Sequence, residues 1–307
     1  MERLLTRRRP MGVGITISPT QFCWVACIHA AAGLRIVGAA ACELPSSLWQ
    51  GDILHASQFS TTVRRLQRPR GRYHATLALA STTVQHKRFA CLTPADDDGI
   101  MAQLERDAPI LLGAPLGDFY LDFQPIQPPL GSSQPHWAEL TAAPAAVVEP
   151  RLQGLTQAGY RLHAIELDQH AMIRACAFLA PRIQPQWQHS MPQLLILDAT
   201  PATLRWWRIQ GKTLLDSGQH QHHAATSEFP AGLLQSIAQA DDGGVLVIQR
   251  GASKEALQSV FGAKEYYAVN PLQLLPIAPA LQPFVPQGAD FVEAFGLAIR
   301  ELADATH

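Results

Sequence analysis

Apolar and polar residues alternate near the amino end of the chain in the way expected of short strands. The pattern predicts three strands joined by tight turns, over residues 12–18, 22–29 and 34–40. The second segment has apolar residues at every other position, namely Phe22, Trp24, Ala26 and Ile28. Because side chains two residues apart in a strand share a face, this predicts an antiparallel sheet packed on a core through that face.

Strand-like and helical segments then follow one another along the chain. Further strands are predicted over residues 73–80, 83–92, 160–165, 194–197, 206–209, 213–217 and 245–249, and a strand and turn over residues 137–148. Helices are predicted over residues 57–66, 100–107, 149–158, 168–179, 232–239, 254–261 and 290–302. Residues 124–134 have the proline-rich and glycine-rich composition of a linker. Prolines also interrupt residues 180–192, where composition divides the chain.

One short stretch of sequence occurs twice. Residues 16–24 (TISPTQFCW) are echoed by residues 198–206 (DATPATLRW). Each copy ends an apolar strand, passes through a hydroxyl-rich turn at a proline, and enters a second apolar strand. A strand, turn, strand unit in each half of the chain predicts a duplicated fold.

Two such turns facing each other are the means by which the actin and sugar-kinase folds hold the phosphates of a nucleotide. Backbone N–H groups donate to the phosphates, and an acidic residue in the turn holds the metal ion or positions water. Only the second copy keeps an acid, Asp198, because Thr16 stands at the matching position. Asp198 is either a remnant metal ligand or a residue that caps its own turn. Pro19 and Pro201 have no N–H to donate.

Length and charge limit the other classes of function. With 307 residues and 47% hydrophobic content, the chain is long enough for two domains or one duplicated domain. Its net charge of -1 and pI of about 6.9 give no overall field that would attract nucleic acid, so no direct nucleic-acid binding is expected.

We expect a first half over residues 1–180 that contains an inserted α+β subdomain at about 92–150, and a second half over residues 181–307. The closing helix, residues 290–302, is expected to pack back on the first half.

The amino terminus is the exception to this neutral balance, with Arg3, Arg7, Arg8 and Arg9 before an apolar stretch. Polar residues interrupt that stretch, which disfavours a cleaved signal. The alternatives are a frayed basic tail, a true start at Met11, and contact with anionic lipid. Since no segment has the roughly 18 uninterrupted apolar residues of a membrane helix, the protein is expected to be soluble and cytoplasmic.

Other candidate sites have simpler structural interpretations. The five cysteines (Cys23, Cys27, Cys42, Cys91 and Cys176) lack a chelating spacing, which is typical of reduced thiols. His220, His222 and His223 lack partners for a metal site, so a surface loop is favoured. The aspartate run at residues 96–98 indicates a helix amino terminus rather than a metal site. No serine lies in the motif of a hydrolase nucleophile, and the paired tryptophans at 206–207 indicate a core strand.

In order and spacing, these segments resemble the PilM family of type IV pilus assembly proteins. Within that family they are similar to the shorter HofM/ComA-like members linked to DNA uptake, which are actin-like relatives of the cell-division protein FtsA. Residues 14–24 stand where the family has G-I-D-I-G-S-S-S-V-K, and residues 197–203 match D-I-G-A-S-T-T. Residues 104–123, 155–178 and 294–300 match further family segments, the last being A-x-G-L-A-L-R.

The resemblance implies a duplicated actin-like, RNase H-like α/β fold with two mixed sheets flanked by helices. It places the remnants of a nucleotide site at Ser18, Thr20, Asp198, Thr200, Thr203 and Gly251. Serine and threonine replace the turn glycines, and the first acid is lost, so the expected cofactor is none, or weakly bound ATP with Mg²⁺, and no catalytic residue is assigned.

The function that the resemblance implies is a scaffold in a pilus-like DNA-uptake complex. Such a scaffold would be peripheral to the inner membrane, where it would bind the cytoplasmic segment of a PilN-like inner-membrane protein. The alternatives are an active ATPase that relies on Asp198, and an exported protein with a cleaved amino terminus.

Overall fold

The computed structural model describes residues 11–91, 97–126, 136–200, 203–221, 243–250 and 265–304. The helices expected over residues 232–239 and 254–261 lie outside these ranges, as do Gly251, His222 and His223. The chain forms two compact units. The first comprises Met1–Glu43, Leu66–Leu79 and Arg161–His307, and the second comprises Leu44–Arg65 and Ala80–Tyr160. The expected division into halves at residue 180, with an insertion at about 92–150, stays a prediction.

The described strands are β1 Met11–Ile17, β2 Gln21–Ala30, β3 Gly33–Glu43, β4 Trp49–Gln50, β5 Ile53–Leu54, β6 His74–Leu79, β7 Gln85–Ala90, β8 Phe119–Ile126, β9 Trp137–Pro144, β10 Leu162–Leu167, β11 Gln193–Ala199, β12 Thr203–Gln210, β13 Thr213–Gln221, β14 Gly244–Gln249 and β15 Tyr267–Ala268. The described helices are α1 Ala56–Val63, α2 Asp97–Leu112, α3 Ala145–Gln157, α4 Asp168–Ile183, α5 Pro271–Leu274 and α6 Val292–Asp304. A 3-10 segment, Pro279–Phe291, leads into α6. None of the described helices is long and apolar enough to span a bilayer.

The first unit contains two five-stranded sheets with the same topology. The first sheet has the order β10-β6-β1-β2-β3 and the second has the order β13-β12-β11-β14-β15. In the first sheet, β2 is antiparallel to both β1 and β3, and β6 and β10 follow in parallel on the other side of β1. In the second sheet, β12 is antiparallel to both β11 and β13, and β14 and β15 follow in parallel on the other side of β11. Both sheets are therefore mixed, and the duplication expected from the repeated turn is present in the backbone.

Side-chain packing repeats along with the topology. Trp24 on β2 and Trp206 on β12 occupy matching positions in the two copies. A Cβ added to Gly38 on β3 would lie 2.9 Å from the Trp24 ring, and one added to Gly218 on β13 would lie 2.0 Å from the Trp206 ring. Each sheet thus needs a glycine on its third strand because an indole covers that position.

One hydrophobic core joins the two sheets through α4 and α6. It includes Val25 and Ile36 of the first sheet, Ile196 and Ile248 of the second, and Phe295 of α6, each completely buried. The backbones of β1 and α6 approach closely, since a Cβ added to Gly14 would lie 1.8 Å from the carbonyl oxygen of Ala294. The closing helix therefore packs on the central strand of the first sheet.

The second unit has its own core. Strands β7, β9 and β8 form an antiparallel sheet in that order. One face packs on α2 through buried residues that include Phe89, Ile100, Leu104 and Leu140. Helix α3 carries the buried Arg151, whose guanidinium donates to the carbonyl oxygens of Asp52 and Val147 and lies 5.1 Å from the Trp49 ring centre.

Several boundaries predicted from the sequence were wrong, and in two of them the structure shows the reason. Helix α3 begins at Ala145, whereas the pattern predicted a strand and turn as far as residue 148. Val147 and Val148 are buried in the structure, and a short apolar run does not distinguish a buried strand from a buried helix. Strand β8 extends to Ile126, into the segment predicted as a linker. It pairs with β9 there in spite of Pro125, because an edge strand tolerates a residue without an N–H.

Candidate functional site

The first of the two repeated turns joins β1 to β2. The Ser18 N–H donates to the carbonyl oxygen of Gln21 at 2.9 Å, and the Gln21 N–H donates to the Ser18 Oγ at 3.0 Å. Thr20 is exposed, and Pro19 beside it has no N–H. The turn therefore uses the backbone donors of Ser18 and Gln21 for its own closure.

The second turn joins β11 to β12 and is closed in the same way. The Thr200 N–H donates to the carbonyl oxygen of Thr203 at 2.9 Å, and the Thr203 N–H donates to the Thr200 Oγ1 at 2.9 Å. The two threonine hydroxyls are also 2.9 Å apart. Ser18 with Gln21 and Thr200 with Thr203 thus close the two turns by one geometry, and each N–H has one proton to give.

Asp198 lies just before the second turn and is 1% exposed. It is held between two arginines. On the neighbouring strand, Arg205 places its Nη2 2.6 Å from the Asp198 Oδ2. At the end of β14, Arg250 places its Nε 2.9 Å from the Asp198 Oδ1, but the N–H is not aimed at that oxygen, so the contact is an ion pair without a hydrogen bond. Both carboxylate oxygens of Asp198 are therefore occupied by guanidinium groups.

Two further carboxylates complete this arrangement. Arg205 Nη1 donates to the Oδ2 of Asp168, the first residue of α4. Glu293 of α6 has its Oε2 3.4 Å from Arg250 Nη2 and 4.0 Å from Arg205 Nη2. We call these five residues the charge network. It combines three carboxylates with two guanidiniums, all within the first unit.

Burial and charge act in opposite directions on the members of the charge network. Burial favours the neutral form of Arg205, but the carboxylates of Asp198, Asp168 and Glu293 outweigh it and raise the Arg205 pKa. The pKa of Arg250 is likewise raised, because Asp198 and Glu293 outweigh the effect of burial. Burial raises the pKa of Glu293, and the nearby arginines only partly oppose it. Both arginines therefore remain cationic, and the raised pKa lets Glu293 take up a proton at a higher pH than an ordinary glutamate does.

The first sheet lacks this arrangement. Thr16 pairs with Cys23 across β1 and β2, as Asp198 pairs with Arg205 across β11 and β12. Burial raises the pKa of the Cys23 thiol, and a hydrogen bond with Thr16 only partly opposes that effect. The matching position in the first sheet is thus uncharged.

The structure places five of the six predicted site residues in the two turns and at Asp198, and Gly251 lies outside the described residues. Of the five residues in the charge network, the sequence predicted only Asp198. It missed the other four, which are Arg205, Arg250, Asp168 and Glu293. A cross-strand signal was available for Arg205, because the repeated turn sets the pairing of β11 with β12. Among the described residues, no group of three or more His, Cys, Asp or Glu side chains is placed to hold a metal ion.

A family model described as type IV pilus assembly protein PilM matches residues 14–204. The match spans more than half of the chain, from the first repeated turn through the second. The chain therefore belongs to the PilM family, which confirms the resemblance found in the sequence. Among curated proteins, no sequence matches this chain significantly.

Three solved structures are similar to this chain to different degrees. The structure described as the PilM-PilN type IV pilus biogenesis complex has a TM-score of 0.65 and 15% sequence identity, over 96% of this chain and 99% of that one. The cytoplasmic domain of EpsL from Vibrio cholerae has a TM-score of 0.45 and 9% identity, over 96% and 95% of the two chains. The ethanolamine utilization protein EutJ from Carboxydothermus hydrogenoformans has a TM-score of 0.42 and 12% identity, over 94% and 89%. The duplicated actin-like α/β fold expected from the sequence is confirmed.

Proposed function

We propose that this protein is an actin-like scaffold of a type IV pilus-like or DNA-uptake assembly complex. Its nucleotide site is degenerate and no longer binds ATP tightly. Its partner is the cytoplasmic segment of a PilN-like inner-membrane protein, which keeps the scaffold on the cytoplasmic face of that membrane. Membership of the PilM family and similarity to a structure described as a PilM-PilN complex support the partner. The position of Asp198 between Arg205 and Arg250 supports the loss of the nucleotide.

Metal binding at Asp198 would require displacing an arginine. Mg²⁺ takes oxygen ligands, commonly one or two carboxylates together with phosphates and waters. Asp198 already has a guanidinium at each oxygen. Separating a buried carboxylate from its partner costs about 3–5 kcal/mol. The binding free energy of a weakly held metal ion does not offset that cost. The residues present therefore do not fit a Mg²⁺ ion, and we derive no catalytic step through one.

Phosphate binding is weakened in a separate way. The N–H groups of Ser18, Gln21, Thr200 and Thr203 donate within their own turns. Each charge-assisted hydrogen bond to a phosphate contributes about 1.5–3 kcal/mol, so losing several removes most of the affinity of such a site. The combination favours a scaffold over the alternative, an active ATPase that depends on Asp198.

Two measurements test this proposal. The first uses a labelled synthetic peptide with the sequence of the cytoplasmic amino-terminal segment of a PilN-like inner-membrane protein. We expect saturable binding by fluorescence anisotropy and no binding of a scrambled peptide. Equal binding of the two peptides would refute the assignment of the partner.

The second measurement is calorimetric titration with Mg-ATP. We expect no binding heat at millimolar nucleotide. Micromolar affinity, together with phosphate release that Asp198→Ala abolishes, would favour the ATPase instead. The matched substitution Asp216→Ala, on β13, controls for the loss of an aspartate elsewhere in the second sheet.

A further inference from the structure

One edge of the first sheet carries exposed basic residues. Strands β1, β6 and β10 are adjacent and parallel, so their amino ends meet at the same edge. Gly12 near the start of β1 pairs with His74 at the start of β6, and Leu162 at the start of β10 pairs with Ala75. The residues that lead into these strands are therefore neighbours in space, although they are far apart in sequence.

The basic residues lie in or just before the starts of these strands. Arg70 and Arg72 precede β6, Arg161 precedes β10, and all three side chains are exposed. His74 and His163 are also exposed, and their ring centres are 4.9 Å apart, which shows that the two strand ends are in contact. We call these five residues the basic edge.

Acidic residues are absent from the segments that form the basic edge. Residues 27–36, 68–75 and 161–163 contain no aspartate or glutamate. The opposite edge, where β3 and β10 end, carries Glu43, Glu166 and Asp168. The seven-residue length of β1 separates the two edges by roughly 20 Å. Glu166 and Asp168 are paired with Arg174 and Arg205, so the two edges differ chiefly in the exposed arginines of the basic edge.

We propose that the basic edge is a contact surface for a membrane of anionic phospholipid. A partner embedded in the inner membrane would hold the scaffold beside such a surface, and in this respect the inference rests on the proposed function. In sequence, Arg7, Arg8 and Arg9 come shortly before Met11, where β1 enters the same edge. Arginines close to an anionic leaflet are attracted by its surface potential, which acts within about one Debye length.

Lipid fits this edge better than nucleic acid. Single-stranded nucleic acid is usually held by a basic groove with aromatic side chains on which bases stack. The segments of the basic edge contain one aromatic residue besides histidine, the half-buried Tyr73, and no tryptophan or phenylalanine. A flat anionic surface requires charge alone, which three exposed arginines provide.

The test is co-sedimentation of the full chain with vesicles at low ionic strength. Vesicles of phosphatidylcholine with about one third phosphatidylglycerol have a moderate anionic surface potential. They are compared with vesicles of pure phosphatidylcholine. The variant Arg70→Gln/Arg72→Gln/Arg161→Gln is expected to bind the anionic vesicles about 100-fold more weakly, since each arginine contributes about fivefold. The control, Lys87→Gln/Arg106→Gln/Lys212→Gln, removes the same charge from exposed positions elsewhere and is expected to bind like the wild type.

Three outcomes would overturn the proposal. Equal loss of binding in both triple variants would show a general charge effect. Equal binding of wild type to both vesicle types would show that anionic lipid is not required, and this comparison needs no variant. Tighter binding to a DNA duplex than to vesicles, lost in the basic-edge variant, would assign the surface to nucleic acid.

Two further measurements complete the test. Arg70→Lys/Arg72→Lys/Arg161→Lys keeps the charge and is expected to bind vesicles like the wild type, whereas a loss would refute an electrostatic surface. Peptide binding by the basic-edge variant separates the two proposals, because the PilN-like peptide assay contains no lipid. Retained peptide binding with lost vesicle binding supports the basic edge, and failure of the peptide assay in wild type would refute the proposed partner without affecting the vesicle result.

Discussion

Asp198 and Arg205 face each other on the antiparallel strands β11 and β12, with Arg205 Nη2 2.6 Å from Asp198 Oδ2. The matching pair in the first sheet is Thr16 and Cys23. One cross-strand position therefore holds a buried ion pair in one copy of the duplicated unit and an uncharged pair in the other. In the second copy, the acid is accompanied by its own counter-ion on the adjacent strand, so it needs no external cation.

We expect Arg205→Met to destabilise the protein by about 3 kcal/mol, because it leaves the buried Asp198 and Asp168 with fewer cationic partners. Urea unfolding followed by circular dichroism measures the change. Lys212→Met is the control, since Lys212 is exposed in the turn between β12 and β13 and its replacement should cost less than about 0.5 kcal/mol. Similar small changes in both variants would mean that the ion pair does not stabilise the fold.

Stability should depend on pH through Glu293. Burial raises the pKa of Glu293, with Asp168 and Asp198 adding to the effect and Arg250 and Arg205 opposing it. Between the unfolded-state pKa of glutamate, about 4.3, and the higher native pKa, the native state binds more protons than the unfolded state. The contribution of Glu293 to the free energy of unfolding therefore falls as pH rises through this window.

The Glu293→Gln variant reveals this contribution. We expect the stability of wild type relative to Glu293→Gln to be greatest at the acidic end of the window and to decline as pH rises through it. Urea unfolding at a series of pH values measures the difference, and Glu139→Gln on β9 controls for removing an exposed carboxyl group. A difference that rises with pH would show that the arginines dominate over burial.

Close packing of α6 on β1 can be tested at a glycine. Gly14→Ala would place a Cβ 1.8 Å from the Ala294 carbonyl oxygen and 2.6 Å from the Leu297 Cβ, so strand and helix must separate. We expect a loss of about 3 kcal/mol. Gly117→Ala is the matched control, because an added Cβ there meets nothing within 4 Å and the change should stay within about 0.5 kcal/mol. Equal thermal stability of the two variants would contradict this packing.

The cysteines should differ in reactivity with their burial. Burial raises the pKa of the Cys27 and Cys176 thiols, both of which are completely buried, whereas Cys42 is only half-buried. We expect Ellman's reagent to label Cys42 well before Cys27 and Cys176, because a thiol reacts as the exposed thiolate. Cys42→Ser should remove that early phase and Cys27→Ser should leave it unchanged. Persistence of the phase in Cys42→Ser would refute the order.

Much of the fold was predictable because its signals are local. The alternation of apolar residues placed β1, β2 and β3 nearly as the structure has them. The repeated turn predicted the duplication, and helices α4 and α6 begin within two residues of their predicted positions. The apolar run that includes Val147 and Val148 was assigned wrongly, because the buried face of α3 also contains Arg151 and Gly154, so apolar residues alone do not show the helical period.

Taken alone, the sequence determined the repeated turns, the acid that remains at Asp198 and the family to which the chain belongs, since each depends on residues close together in the chain. Tertiary structure decided which charges meet. Asp168 and Arg205 are 37 residues apart, and Arg250 and Glu293 are 43 residues apart, so no local pattern connects them. Pairing of parallel strands likewise brought the starts of β6 and β10 together, and with them the segments that contain Arg72 and Arg161. Such contacts depend on strand order and helix packing, which form only when the whole core is buried.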